Sequence, residues 1–163
     1  MQSPENPGPA AGPTPDSEVE VRLYTSASTI GNSGRGGWAF ILEHLPTGKR
    51  KSSSGGEADT TNHRMELIAV IRGLEALKKP CRVEVITGSD YVVKGLNERL
   101  ASWKAFGWRR GPKSQTLVRN LDLWQRLAEL CSHHEVRSTR RNLPAGHAEY
   151  ETCHRMAVEA RGG

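Results

Sequence analysis

At 163 residues and 36% hydrophobic content, the chain suits one ordinary core and leaves little room for a second domain. Its net charge of +5 favours polyanionic partners, while no run reaches the roughly 18 apolar residues a membrane span needs and no basic-then-apolar start marks a secretory leader. The expected setting is soluble and cytoplasmic, and the unpaired count of Cys81, Cys131 and Cys153, without metal-type spacing, points to reduced thiols and away from cysteine chemistry.

Five of the nine prolines precede Asp16, in a stretch with almost no large apolar residue, so residues 1–17 read as a disordered proline-rich tail and 18–163 as the domain. Val19, Val21 and Leu23 alternate with Glu20, Arg22 and Tyr24, the pattern of a first strand. The glycine-rich segment from Gly31 to Gly37 is expected to turn the chain into a strand over Trp38 to Leu45. Pro46-Thr47-Gly48 then turns it into a third strand over Lys49 to Ser54.

From Asn62 the period changes. Leu67, Val70, Ile71, Leu74 and Leu77 form one stripe of a helix that ends before Pro80. A fourth strand is expected over Arg82 to Thr87, followed by a short helix from about Ser89. A tryptophan- and arginine-rich segment at 103–113 comes next, then a helix carrying Leu117, Leu121, Trp124, Leu127 and Cys131. Trp124 and Leu127 fit the apolar stripe of that helix as core residues. A last strand over Glu135 to Arg140 and a last helix over Glu149 to Ala160 complete an α/β fold, a mixed five-stranded sheet flanked by helices.

This order of elements carries several motifs in sequence: Gly31-Asn32 before Gly36-Gly37, Thr61-Asn62-His63-Arg64-Met65-Glu66-Leu67, Ser89-Asp90-Tyr91-Val92, Trp103 to Trp108 and Asn120-Leu121-Asp122-Leu123-Trp124. Together they closely resemble type 1 ribonuclease H, over essentially everything after the tail. The resemblance implies a ribonuclease H-like fold. It also implies an activity, cleavage of the RNA strand of an RNA/DNA hybrid by four carboxylates holding two magnesium ions about 3.5–4 Å apart.

The match departs from the family at most of those carboxylates. Glu66 alone stands where the family has one. Ser26-Ala27-Ser28 follows threonine where the family has aspartate-glycine-serine, Thr87-Gly88-Ser89 replaces threonine-aspartate-serine, and Cys153 is followed by His154 in place of aspartate. Ser26, Gly88 and His154 are therefore vacated family positions, and His154 is a ligand better suited to transition metals than to magnesium. The expected result is weak metal binding and little or no cleavage, with magnesium or manganese as cofactor only if activity persists.

Asp90 is the leading candidate to rebuild the site with Glu66, although a two-residue step on a helix turns it through about 200° and it equally suits a helix N-terminus. Glu57, Asp59, Glu149 and Glu151 are further candidates to approach the cleft, which the sequence does not place. His147, in Ala145-Gly146-His147-Ala148, resembles the family's mobile histidine and is a candidate catalytic residue, against the plainer reading of a solvated loop histidine.

The nucleic-acid contacts implied by the resemblance fare better. Asn32, Thr61, Asn62 and His63 match positions that touch sugar hydroxyls, minor-groove bases and phosphates, with His63 where asparagine is usual; Thr61 or Asn62 also suits capping the long helix. Trp103, Lys104, Trp108, Arg109, Arg110 and Lys113 resemble the family's basic protrusion, where aromatic and cationic groups pack on sugars and neutralise phosphates.

Three functions remain open at this level. The leading one is a catalytically impaired protein that binds RNA/DNA hybrid or a related duplex. The second is an active hybrid endoribonuclease with a site rebuilt from Glu66, Asp90, His154 or His147. The third is a non-catalytic interaction scaffold whose tail recruits a protein partner. A monomer with no membrane association is expected in each case.

Overall fold

The computed structural model describes residues 19–31, 33–140 and 147–162, for His147 the backbone only. The tail assigned to residues 1–17, Asn32 and the His147 side chain lie outside the described residues.

β1 (Val21–Thr29), β2 (Ser33–His44) and β3 (Lys49–Thr61) form an antiparallel meander. α1 (Asn62–Glu75) crosses to β4 (Arg82–Thr87), which pairs parallel with β1. α2 (Asp90–Lys94) runs through a wider π turn at Gly95–Arg99 into α3 (Leu100–Ala105). α4 (Leu121–Cys131), β5 (Glu135–Arg140) and α5 (His147–Ala160) follow, with β5 parallel to β4. The sheet order is β3-β2-β1-β4-β5, the mixed five-stranded arrangement expected.

β1 is central and buried on both faces, so its alternating side chains feed two cores. Val21 and Leu23 pack in the larger one with Leu67, Val70 and Leu74 of α1 and with Trp124 and Leu127 of α4. Tyr24 points the other way, beneath α5, with Ala39, Ile41, Cys153 and Ala157. Each large aliphatic side chain so enclosed contributes about 1.5–3 kcal/mol. All three cysteines are free, and burial pushes the Cys153 thiol up to about 12, a protonated core residue.

Several boundaries differ from the sequence reading: β1 runs on to Thr29, and the last helix begins at His147, two residues before Glu149, which puts His147 on a helix and not in a loop. The glycine-rich segment is mostly strand: β2 begins at Ser33, with a register irregularity between Gly34 and Gly36, and the reversal is confined to the region of Gly31, whose φ is 75°. The glycines serve a close approach, because a side-chain carbon on Gly37 would collide with the carbonyl oxygen of Ala157 on α5. β3 continues to Thr61, well past Ser54, along the sheet edge. The helix placed from Leu117 starts only at Leu121, because Asn120 enters it with a left-handed φ of 58° while Leu117 pairs with Arg109 in an isolated bridge. Among the described residues, no helix is long and apolar enough to cross a membrane.

Candidate nucleic-acid interface and cleft

At the junction of β3 and α1 the chain switches from extended to helical at Thr61, whose hydroxyl accepts from the backbone N–H of Arg64 at 3.2 Å. Of the two capping candidates, Thr61 is the one used. That cap sets Asn62, His63 and Glu66 on the first turns of α1, at the end of the sheet. Glu66 is half-buried and each of its oxygens is engaged: Oε1 accepts from the Ser89 hydroxyl at 2.7 Å and Oε2 from the Asn62 amide at 2.9 Å. Burial raises its pKa above the ordinary glutamate value, with the Ser89 bond and nearby His63 opposing.

Ser26, within β1, and Gly88, the residue just past β4, each lie two residues beyond the Tyr24–Ile86 pair of those parallel strands. Ser26 is buried at 5% exposure, and its Oγ is 2.9 Å from Nδ1 of His154, an exposed residue of α5. The space above Gly88 belongs to Tyr150, one turn earlier on α5: a side-chain carbon on Gly88 would lie 2.6 Å from its hydroxyl. The Ser89 bond to Glu66 closes the group, so the fold brings Ser26, Glu66, Gly88 and His154 to one cleft past the C-terminal end of β4, beside the second half of β1.

Asp90 is not drawn into it. Its carboxylate is forked on Arg140 of β5, with contacts of 2.7 and 2.8 Å. Glu149 pairs with Arg50 at 3.0 Å. Among the described residues no three of His, Cys, Asp and Glu stand together as a metal-binding group.

Beside the cleft lies a cavity of about 460 Å³. The His63 ring lies flat on Tyr91, centroids 3.9 Å apart and planes within 7°. The Tyr91 hydroxyl accepts from the Asn120 amide at 3.0 Å and from the Trp124 indole at 2.9 Å, and Trp103 meets Trp124 edge-on at 5.1 Å. This aromatic wall is therefore anchored in the core. Arg99, Arg110 and Arg119 line the same cavity, all exposed, and among the described residues none of them forms an ion pair.

The segment after α3 is a tight protrusion. Gly107 and Trp108 both adopt φ of 67°. That conformation costs a non-glycine residue about 1–2 kcal/mol. It swings the chain back so that Arg110 N–H donates to the Thr116 carbonyl at 3.0 Å and Val118 N–H to the Trp108 carbonyl at 2.9 Å. Trp108 is half-buried against the core, while Lys104, Arg109 and Lys113 stay exposed. Of the basic cluster anticipated from sequence, only Trp103 and Arg110 line the cavity.

Sequence reading missed Tyr91, Arg99, Arg119 and Tyr150. Arg99 precedes Trp103 by one helical turn, a spacing that could have flagged it. Arg119 and Tyr150 carry no such local signal, since the first follows an irregular segment and the second depends on how α5 lies over β4.

The ribonuclease H family model matches residues 18–161. A ribonuclease H from Rhodopirellula baltica is 46% identical over 141 residues, covering 86% of this chain and 89% of its own, and one from Legionella pneumophila is 42% identical, covering 85% and 94%. Among solved structures, LC9-RNase H1, described as a type 1 RNase H with the type 2 active-site motif, aligns with a TM-score of 0.73 at 31% identity, over 90% of this chain and 74% of that one. LC11-RNase H1, solved in complex with RNA/DNA hybrid, shares the fold at a TM-score of 0.65 and 19% identity, over 86% and 95%. With the family match, the sheet order and the cleft past β4 and beside β1 in agreement, the chain belongs to the ribonuclease H family, as a type 1 ribonuclease H-like protein.

Proposed function

We propose that this chain binds RNA/DNA hybrid or a related duplex and is impaired in cleaving it. The observation that carries the reading is the contrast between two adjacent surfaces. The cavity beside Trp103 presents three exposed arginines against one carboxylate, Glu98, on an aromatic wall, a net positive lining suited to phosphates and sugars. Among the described residues the cleft next to it offers one carboxylate, already holding two hydrogen bonds, beside a hydroxyl–imidazole pair that carries no negative charge and a glycine.

Two magnesium ions require hard oxygen ligands and enough negative charge to compensate them. The donors here do not fit that requirement. Glu66 supplies one negative charge, Ser26 and His154 are turned toward each other, and the hydroxyl of Tyr150 stands where a side chain at position 88 would project. Asp90, the leading candidate for rebuilding the site, is held by Arg140. Cleavage by a family member depends on that metal pair, so its weak support here favours a binder over a nuclease. The resemblance of Asn62 and His63 to family contact positions, and their place at the edge of both surfaces, support a duplex crossing the N-terminus of α1.

Hybrid affinity measured against salt concentration tests the binding half. It should fall steeply with salt, and replacing Arg99, Arg110 and Arg119 by alanine should weaken it and flatten the slope by about one unit for each phosphate no longer neutralised. Unchanged affinity in that variant would show that the chosen surface is wrong, and no hybrid affinity at all would favour a protein-interaction scaffold.

A further inference from the structure

β3 is an edge of the sheet, with β2 as its neighbour on one side, and among the described residues no backbone hydrogen bond reaches Arg50 to Asp59 from any other segment. An unpaired strand edge is a template for another strand. Two features of β3 decide which one. Its centre, Ser52-Ser53-Ser54-Gly55-Gly56, has only small side chains, so nothing there obstructs a close backbone approach. Its charges are placed evenly about that centre: Lys51 lies three residues before Ser54 and Glu57 three residues after it. Both share one face, because the pairing with β2 runs without interruption from Leu42 opposite Lys51 to Gly36 opposite Glu57. Both are exposed, and among the described residues neither forms an ion pair. Arg50, on the other face, is held within its own chain by Glu43 at 3.4 Å and Glu149 at 3.0 Å.

We propose that β3 joins a second copy of this chain, antiparallel and about a two-fold axis at Ser54, in place of the monomer expected from the sequence. In that register Lys51 stands directly opposite the partner's Glu57, with Cβ atoms about 4.5–5.5 Å apart, and the symmetry makes the pair twice. Ser53 meets the partner's Gly55, and Ser52 the partner's Gly56. Lysine on an edge ordinarily discourages pairing; matched to a carboxylate at equal distance from the axis, it selects the register instead. Sliding the strands toward their N-terminal ends sets Lys49-Arg50-Lys51 against itself, and sliding them the other way sets Glu57 against Asp59. The irregularity opposite Gly34 to Gly36 ends regular pairing just past Glu57, so the joined segment runs from Lys51 to Glu57. None of these residues lines the arginine cavity.

The test measures the mass of the full chain against concentration by sedimentation equilibrium at low salt, with thermal melts confirming that each variant folds. The unaltered chain should show a monomer–dimer equilibrium that weakens as salt rises. Lys51→Glu and Glu57→Lys should each weaken self-association about tenfold or more, because both opposed pairs become like-charged. Mixing the two variants should restore association, as a heterodimer whose pairs again carry opposite charges. A chain that stays monomeric up to about 1 mM would overturn the inference. So would a dimer that neither reversal weakens, which would place the contact on another surface. A mixture that associates no better than its components would also overturn it, by showing that Lys51 and Glu57 do not face each other.

Discussion

Gly88 and Tyr150 form a pair whose logic appears only in three dimensions. The tyrosine hydroxyl stands 2.6 Å from where a side-chain carbon would begin, so returning a carboxylate to position 88 means moving an aromatic ring. Restoring Ser26→Asp, Gly88→Asp and His154→Asp together should therefore give little magnesium-dependent hybrid cleavage, and adding Tyr150→Ala should raise it. Equal rates with and without Tyr150→Ala would show that the ring yields freely. Arg64 and Asp122 offer a second residue-scale test. Their forked pair, at 3.1 and 2.8 Å, ties α1 to α4, and the bond from Arg64 holds the Asp122 carboxyl below its ordinary pKa. A lowered folded-state pKa stabilises the fold above the ordinary carboxylate range and loses that contribution as pH falls through it. Asp122 is largely exposed, so Asp122→Asn should cost only about 0.5–1 kcal/mol at pH 7 in urea unfolding and progressively less on acidification. At this scale the sequence disclosed which residue types occupy the cleft, because Ser26, Gly88 and His154 sit inside recognisable motifs. It could not disclose that Ser26 and His154 bond to each other or that Asp90 turns to Arg140, since both facts depend on packing between distant segments.

Elements with strong periodicity were legible almost to the residue. β4 and β5 occupy the ranges read from alternation, and α1 begins at the residue where the period changes. Reading failed where glycine serves contact between elements instead of a turn. Gly37 and Gly56 lie in paired strands because α5 presses its backbone against them. Gly95, in the π turn between α2 and α3, gives way to the Trp124 ring in the same manner. Gly95→Ala should destabilise the fold by about 1–3 kcal/mol through overpacking, seen as a lowered melting temperature. Because Trp124 also supports Tyr91 and Trp103, the same substitution should weaken hybrid binding. A variant with normal stability and normal affinity would mean that the aromatic wall is not held as described. The late start of α4 has a similar cause: Arg109 and Leu117 pair to close the protrusion, an arrangement that helical periodicity counts as one more turn.

Across the whole molecule, the α/β architecture and the family were legible because several motifs agree in order, while function had to be argued from the site. The excess of positive charge gathers in a useful place: Arg99, Arg110 and Arg119 outnumber Glu98 in one aromatic-walled cavity, beside a cleft in which Glu66 is the single carboxylate among the described residues. That juxtaposition is the basis for the proposal that binding is uncoupled from cutting. The most direct measurement incubates the purified protein with a labelled hybrid in magnesium and, separately, in manganese. It records cleavage and retained complex in the same samples, beside a Glu66→Gln control. The account predicts a retained complex with little or no cleavage in either metal. Cleavage by the unaltered chain that Glu66→Gln abolishes would contradict it, and would mean that a working carboxylate site has been rebuilt around Glu66.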